Sequence, residues 1–145
     1  MILPDTKYND LSVAKFINYI MESGKKGVAE KIFYGAMELV RKKTKSDGIK
    51  IFKKGIENTS PSVEVKSRRI GGATYQVPIE VPKKRAFYLA SLWIINASKN
   101  SSGRPMSEKL ASELIAAANG DGNAIKKKED THRMADANKA FAHFR

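Results

Sequence analysis

Val63-Glu64-Val65-Lys66-Ser67-Arg68-Arg69-Ile70-Gly71-Gly72-Ala73-Thr74-Tyr75-Gln76-Val77-Pro78-Ile79-Glu80-Val81 is the stretch whose reading decides the fold. Its apolar residues Val63, Val65, Val77, Ile79 and Val81 recur at a period of two, the period of extended chain. Val63 to Ile70 reads as one strand and Tyr75 to Val81 as its partner. Gly71-Gly72 between them supplies the positive φ that a tight hairpin demands. Pro78 cannot donate to a ladder, so its strand is an edge, as both strands of a lone hairpin are. The apolar residues gather at the base, while Lys66, Ser67, Arg68, Arg69, Thr74, Tyr75 and Gln76 occupy the tip. A two-stranded ribbon with so wet and basic a tip has nothing of its own to pack against. It reads as an arm that reaches into a partner.

On both sides of this ribbon the period becomes helical. From Asp10, Val13, Ile17, Ile20 and Met21 recur at three- and four-residue spacing up to Gly24. After Gly27, Val28, Ile32, Phe33, Ala36, Met37 and Val40 share one side, opposite Glu30, Lys31, Glu38, Arg41 and Lys42. Ser46 or Asp47 caps a third helix with an Ile49, Phe52, Ile56 stripe. Beyond Pro82, the run holding Phe87, Leu89, Ala90, Leu92, Trp93, Ile94 and Ile95 is apolar nearly all round, as a central helix is. Ser101-Ser102-Gly103 breaks the pattern, and Pro105 suits the first turn of a helix faced by Leu110, Ala111, Leu114, Ile115 and Ala118 and closed by Gly120. Lys126-Lys127-Lys128 then leads into a last helix, roughly Glu129 to Phe144, with Met134, Ala135, Phe141 and Ala142. The expected fold is mainly α: a single domain over residues 1–145, about six helices with one protruding two-stranded antiparallel hairpin arm at about 63–81.

Composition bounds the function. The 145 residues carry 27 Lys+Arg against 15 Asp+Glu, a formal net charge of +12. A folded domain that basic repels itself, which points to a polyanionic partner. Nucleic acid leads. A membrane surface would ask for an amphipathic helix with a Lys face opposite an aromatic and Leu face, and none stands out. The chain has no cysteine, which excludes disulfides, thiol chemistry and Cys-based zinc sites. Neither a charged leader nor an apolar run of membrane-spanning length is present, so a cytoplasmic setting is expected.

No residues assemble an active site by pattern. No serine lies in a nucleophile elbow and no glycine-rich loop matches a phosphate cradle. His132, Asp136 and His143 fall on one side of the last helix, but two turns separate His143 from the others and a surface face reads better than a metal site. No enzyme, cofactor or metal is expected. The cations at helix ends, in loops and at the ribbon tip suit a convoluted RNA surface, where phosphates position and stacked bases specify. An architectural DNA-binding protein gripping the duplex with a β-ribbon arm is the rival.

Three stretches carry a family resemblance. VEVKSRRIGGATYQVPIEV (63–81), KKKEDTHRMADANKAFAHFR (126–145) and ILPDTKYNDLSVAKFINYIM (2–21) resemble the small-subunit ribosomal protein family numbered seven. The resemblance implies a structural constituent of the small ribosomal subunit, in the cytoplasm, that binds the 3′ major domain of the ribosomal RNA directly and early and nucleates assembly of the head. It implies an arm near the path of messenger RNA and exit-site transfer RNA, with ribosomal proteins of the head and platform as neighbours. It also implies repression of its own operon's message. Carried over to this chain, the RNA contacts are Lys66, Arg68, Arg69, Tyr75 and Gln76 on the arm. On the body they are Lys25, Lys26, Arg85, Arg104, Met106, Lys126, Lys127, His132 and Arg133. Relatives carry a short basic arm ahead of the Leu-Pro-Asp segment and a Trp after the final Arg, where this sequence has Met1-Ile2 and Arg145.

Overall fold

A computed structural model describes residues 2–144. The chain forms helices α1 (Leu11–Ile20), α2 (Lys26–Thr44) and α3 (Gly48–Thr59), then strands β1 (Val63–Ile70) and β2 (Ala73–Glu80). Helices α4 (Lys83–Asn100), α5 (Met106–Ala118) and α6 (Asn123–Ala137) follow, and a 3-10 helix, Lys139–Phe144, comes last. The mainly α architecture with one antiparallel ribbon is the one expected.

The starts of α1 and α3 follow capping chemistry. The Asp10 carboxylate accepts from the N–H groups of Ser12 and Val13 at 2.8 and 3.2 Å, and Asp47 accepts from Ile49 N–H at 3.2 Å. Burial pushes the Asp10 carboxyl up. Hydrogen bonds from the Lys53 ammonium, 2.8 Å away, and from Val13 and Ser12 outweigh it and hold the pKa below the ordinary range. Pro105 stands just ahead of α5 as its cap, not in its first turn. The last helix begins at Asn123, earlier than expected, and stops at Ala137. Lysines favour helix, so the run 126–128 lies inside α6. The break is Gly122 at φ +94°, after which buried Ala124 and Ile125 anchor the first turn.

The core is built on three phenylalanines, one from each of the first three helices. The Phe16, Phe33 and Phe52 rings lie 5.0–5.7 Å apart in tilted or edge-on pairs. Such pairs add roughly 0.5–1.5 kcal/mol each beyond the area they bury. Two glycines let backbones close around them. A Cβ at Gly48 would stand 2.8 Å from the Met37 carbonyl, and one at Gly55 would stand 3.2 Å from the Leu114 carbonyl. The hub is α5: Leu110, Ala111, Leu114 and Ala117 are fully buried against α2, α3, α4 and α6. Its small residues allow close approach on several sides. The expected central helix, α4, buries Ala90, Ile94 and Ile95 but leaves Leu92 and Trp93 half-exposed and Tyr88 exposed. Val28 and Met134, expected on apolar faces, are 55% and 52% exposed.

The ribbon pairs Val63 with Glu80 through to Ile70 with Ala73. Gly71 and Gly72, at φ +57° and +84°, make the two-residue turn, so the ladder begins at Ala73 and not at Tyr75. One expectation fails. The ribbon does not stand alone: β1 packs against α6, and β2 packs against the 3-10 helix and α6. Val77 and Pro78 are buried. A lone hairpin is marginal in water, and this one is docked along its side. No described helix is long and apolar enough to cross a membrane.

Candidate nucleic-acid interface

Each predicted contact can be placed by what its side chain already touches. Lys66, Arg68 and Arg69 are exposed at the outer half of the ribbon and make no ion pair among the described residues. By the register, Lys66 and Arg68 share a face with Val77 and Tyr75, while Arg69 shares the other with Gln76. Gln76 Nε2 donates to Ser67 Oγ at 2.8 Å across the strands, which stiffens the ribbon behind those cations. Lys25 and Lys26 are exposed where α2 begins, and Lys126 and Lys127 are exposed on α6. Lys83 and Lys84 open α4 just beyond the base of the ribbon and are exposed as well.

The remaining predicted contacts also hold the protein together. Arg85 donates from Nε and an Nη to the Glu64 carboxylate at 3.2 and 3.3 Å, and its guanidinium lies 5.7 Å from the Tyr88 ring centroid. It therefore bolts α4 to β1 while presenting an edge outward. Arg133 pairs with Asp130 at 2.9 Å, and Arg104 donates to Ser112 Oγ at 3.3 Å. Met106 is half-buried against the core. His132 Nε2 accepts the Ser62 backbone N–H at 3.1 Å. Burial, and then the nearby Lys128 ammonium, push its pKa below the ordinary histidine range. Among the described residues no three His, Cys, Asp or Glu side chains converge as metal ligands do, so His132, Asp136 and His143 do not form such a set. Tyr75 sits in an aromatic cluster, its ring centroid 5.2 Å from Phe141 and 4.8 Å from Phe144.

Several positioning residues escape a reading of the sequence. Asn58 donates both amide hydrogens to the Ala117 and Ala118 carbonyls, at 3.1 and 3.0 Å, and closes the end of α5. The Lys128 ammonium donates to the Asn58 carbonyl at 2.8 Å. Lys128 and His132, one turn apart, thus fasten α6 to the segment that leads into β1. At the other end of the chain, buried Asp5 accepts from the N–H groups of Lys7, Tyr8 and Asp10 and from the Tyr34 hydroxyl. Such side chain to backbone bonds need no complementary residue type, so spacing does not announce them.

Fold and charge together define an α-rich basic protein with a docked, cation-tipped β-ribbon, suited to a polyanionic partner. The family described as "Ribosomal protein S7p/S5e" matches residues 1–139. The chain is 58% identical to small ribosomal subunit protein uS7 of Gemmatimonas aurantiaca, over 99% of this chain and 92% of that one. It is 57% identical to that of Thermotoga maritima, over 99% and 93%, and 54% identical to that of Dictyoglomus thermophilum, over 99% and 92%. The chain belongs to the ribosomal protein S7p/S5e family, whose members are structural and not enzymes.

Proposed function

We propose that this protein is a structural constituent of the small ribosomal subunit that grips ribosomal RNA with both its helical body and its arm. The single observation that carries the reading is the set of exposed cations Lys66, Arg68 and Arg69 on the ribbon, Lys83 and Lys84 at the start of α4 and Lys126 and Lys127 on α6, which make no ion pair among the described residues, on a body tied to the base of that ribbon. Lysine and arginine contacts to phosphate supply affinity and register. Rigidity matters because a convoluted RNA fold is recognised by shape, which a fixed spacing of cations can match.

The finer reading follows the family. The protein binds the 3′ major domain of small-subunit ribosomal RNA early and nucleates head assembly, beside other ribosomal proteins of head and platform. Its arm lies near messenger RNA and exit-site transfer RNA, and it represses its operon's message by binding RNA of similar shape. The contacts are Lys66, Arg68, Arg69 and Gln76 on the arm and Lys25, Lys26, Arg85, Arg104, Met106, Lys126, Lys127, His132 and Arg133 on the body; Tyr75, the fifth arm residue that the resemblance implies, is set apart because its ring already meets Phe141 and Phe144. No observation favours the DNA-architectural alternative. Reconstitution of small subunits from purified components tests the reading. Leaving this protein out should block binding of later head proteins, and adding it back should restore them; heads that assemble fully without it would refute the reading.

A further inference from the structure

The sequence places Tyr75 among the RNA contacts, yet its ring is already engaged within the protein. Phe141 and Phe144 are three residues apart on a 3-10 helix, a spacing at which side chains eclipse. Their rings are nearly parallel, 9° apart with centroids 6.1 Å apart, and the Tyr75 ring meets both at 50–57°. Among the described residues no hydrogen bond reaches the Tyr75 hydroxyl, so the ring makes the contact. Phe141 and Phe144 do not belong to the buried core cluster, and both are half-exposed.

We infer that Tyr75 is a positioning residue: by seating its ring on Phe141 and Phe144 it clasps the arm to the 3-10 helix and fixes where Lys66, Arg68 and Arg69 meet RNA. A ribbon of two strands has little stiffness of its own. Its base is tied by Ser62 to His132 and by Glu64 to Arg85. Buried Val77 and Pro78 hold the middle of β2, and the part beyond them is free to swing unless something holds it further out. Tyr75 lies opposite Arg68, so the clasp acts beside the cations. Holding the arm before RNA arrives removes an ordering cost from binding. The RNA half of this inference rests on the proposed function; the clasp itself does not.

Amide hydrogen exchange of the ribbon in the free protein, together with affinity for a 3′-major-domain ribosomal RNA fragment, tests it. The proteins are wild type, Tyr75→Phe, Tyr75→Ala, the Phe141→Ala/Phe144→Ala pair, and the three alanines combined. Removing the ring stacking should speed exchange in the outer ribbon about three- to tenfold. Affinity should fall by a similar factor, to the same extent in Tyr75→Ala and the Phe pair and no further in the combination. Tyr75→Phe should match wild type in both measurements. Unchanged exchange in Tyr75→Ala would overturn the inference. So would weaker RNA binding in Tyr75→Ala but not in the Phe pair, since the ring would then stack directly on a base. Unfolding of the helical body would also overturn it, by making the cluster part of the core. Wild type that fails to bind RNA would instead refute the proposed function while leaving the exchange result to stand.

Discussion

Ser62 donates its backbone N–H to Nε2 of His132 at 3.1 Å, so the residue just ahead of β1 is tied to α6 by a bond that only a neutral imidazole can accept. The two residues are 70 apart in sequence. With Lys128 bound to the Asn58 carbonyl one turn earlier, this bond sets the point from which the arm departs.

That tie should loosen in mild acid. The folded protein holds His132 below its ordinary pKa of 6.5. A base depressed in this way contributes stability that is fully present above the unfolded value and is lost as pH falls below it. Amide exchange at the base of β1, corrected for its intrinsic pH dependence, should accelerate between pH 7 and pH 5. A His132→Gln variant should lose most of that dependence. Equal dependence in both proteins would refute the assignment.

Asp5 should matter more than its place near the chain's beginning suggests. Its carboxylate satisfies three backbone N–H groups and the Tyr34 hydroxyl in a buried position. Replacing it with Ala leaves those donors unpaired, at a cost of about 1–3 kcal/mol. Chemical denaturation should show a lower midpoint with an unchanged slope.

The glycines separate into two kinds. Gly48→Ala would place a Cβ 2.8 Å from the Met37 carbonyl, a backbone atom that cannot swing aside, and should destabilise by about 1–3 kcal/mol. Gly27→Ala meets nothing within 4 Å in the first turn of α2 and should be neutral or stabilise by up to about 1 kcal/mol. Thermal melts of the two variants check the contrast.

The ribbon was legible because Val63, Val65, Val77 and Ile79 alternate around Gly71-Gly72, and α1 and α3 because Asp10 and Asp47 mark their starts. Those are local signals. The docking of the ribbon was not legible: Tyr75 meets Phe141 and Phe144 across a long sequence separation, and neither phenylalanine stands out from an ordinary helical face. The extent of α6 was missed because a lysine run reads as solvated connector, although it costs a helix nothing. Basic residues identified the kind of partner. Which of them also fasten the fold, as Arg85 does through Glu64, needed the geometry.

Removing the arm's charge should spare the body. The Lys66→Ala/Arg68→Ala/Arg69→Ala triple variant removes three exposed cations that make no ion pair among the described residues, and each such change usually stays within about ±0.5 kcal/mol. The melting temperature should hardly move. The dependence of log affinity on log salt should become shallower by about two to three, at about 0.7–0.9 for each phosphate no longer neutralised. An unfolded variant would show that these side chains pack inward.

Competition between a folded 3′-major-domain ribosomal RNA and duplex DNA, titrated over a range of salt, tests the central claim most directly. For about six neutralised phosphates the RNA affinity should fall with a log–log slope near −4 to −5. At physiological salt the RNA should be preferred by about a hundredfold or more. Equal affinity for the duplex, or RNA binding indifferent to salt, would contradict the account.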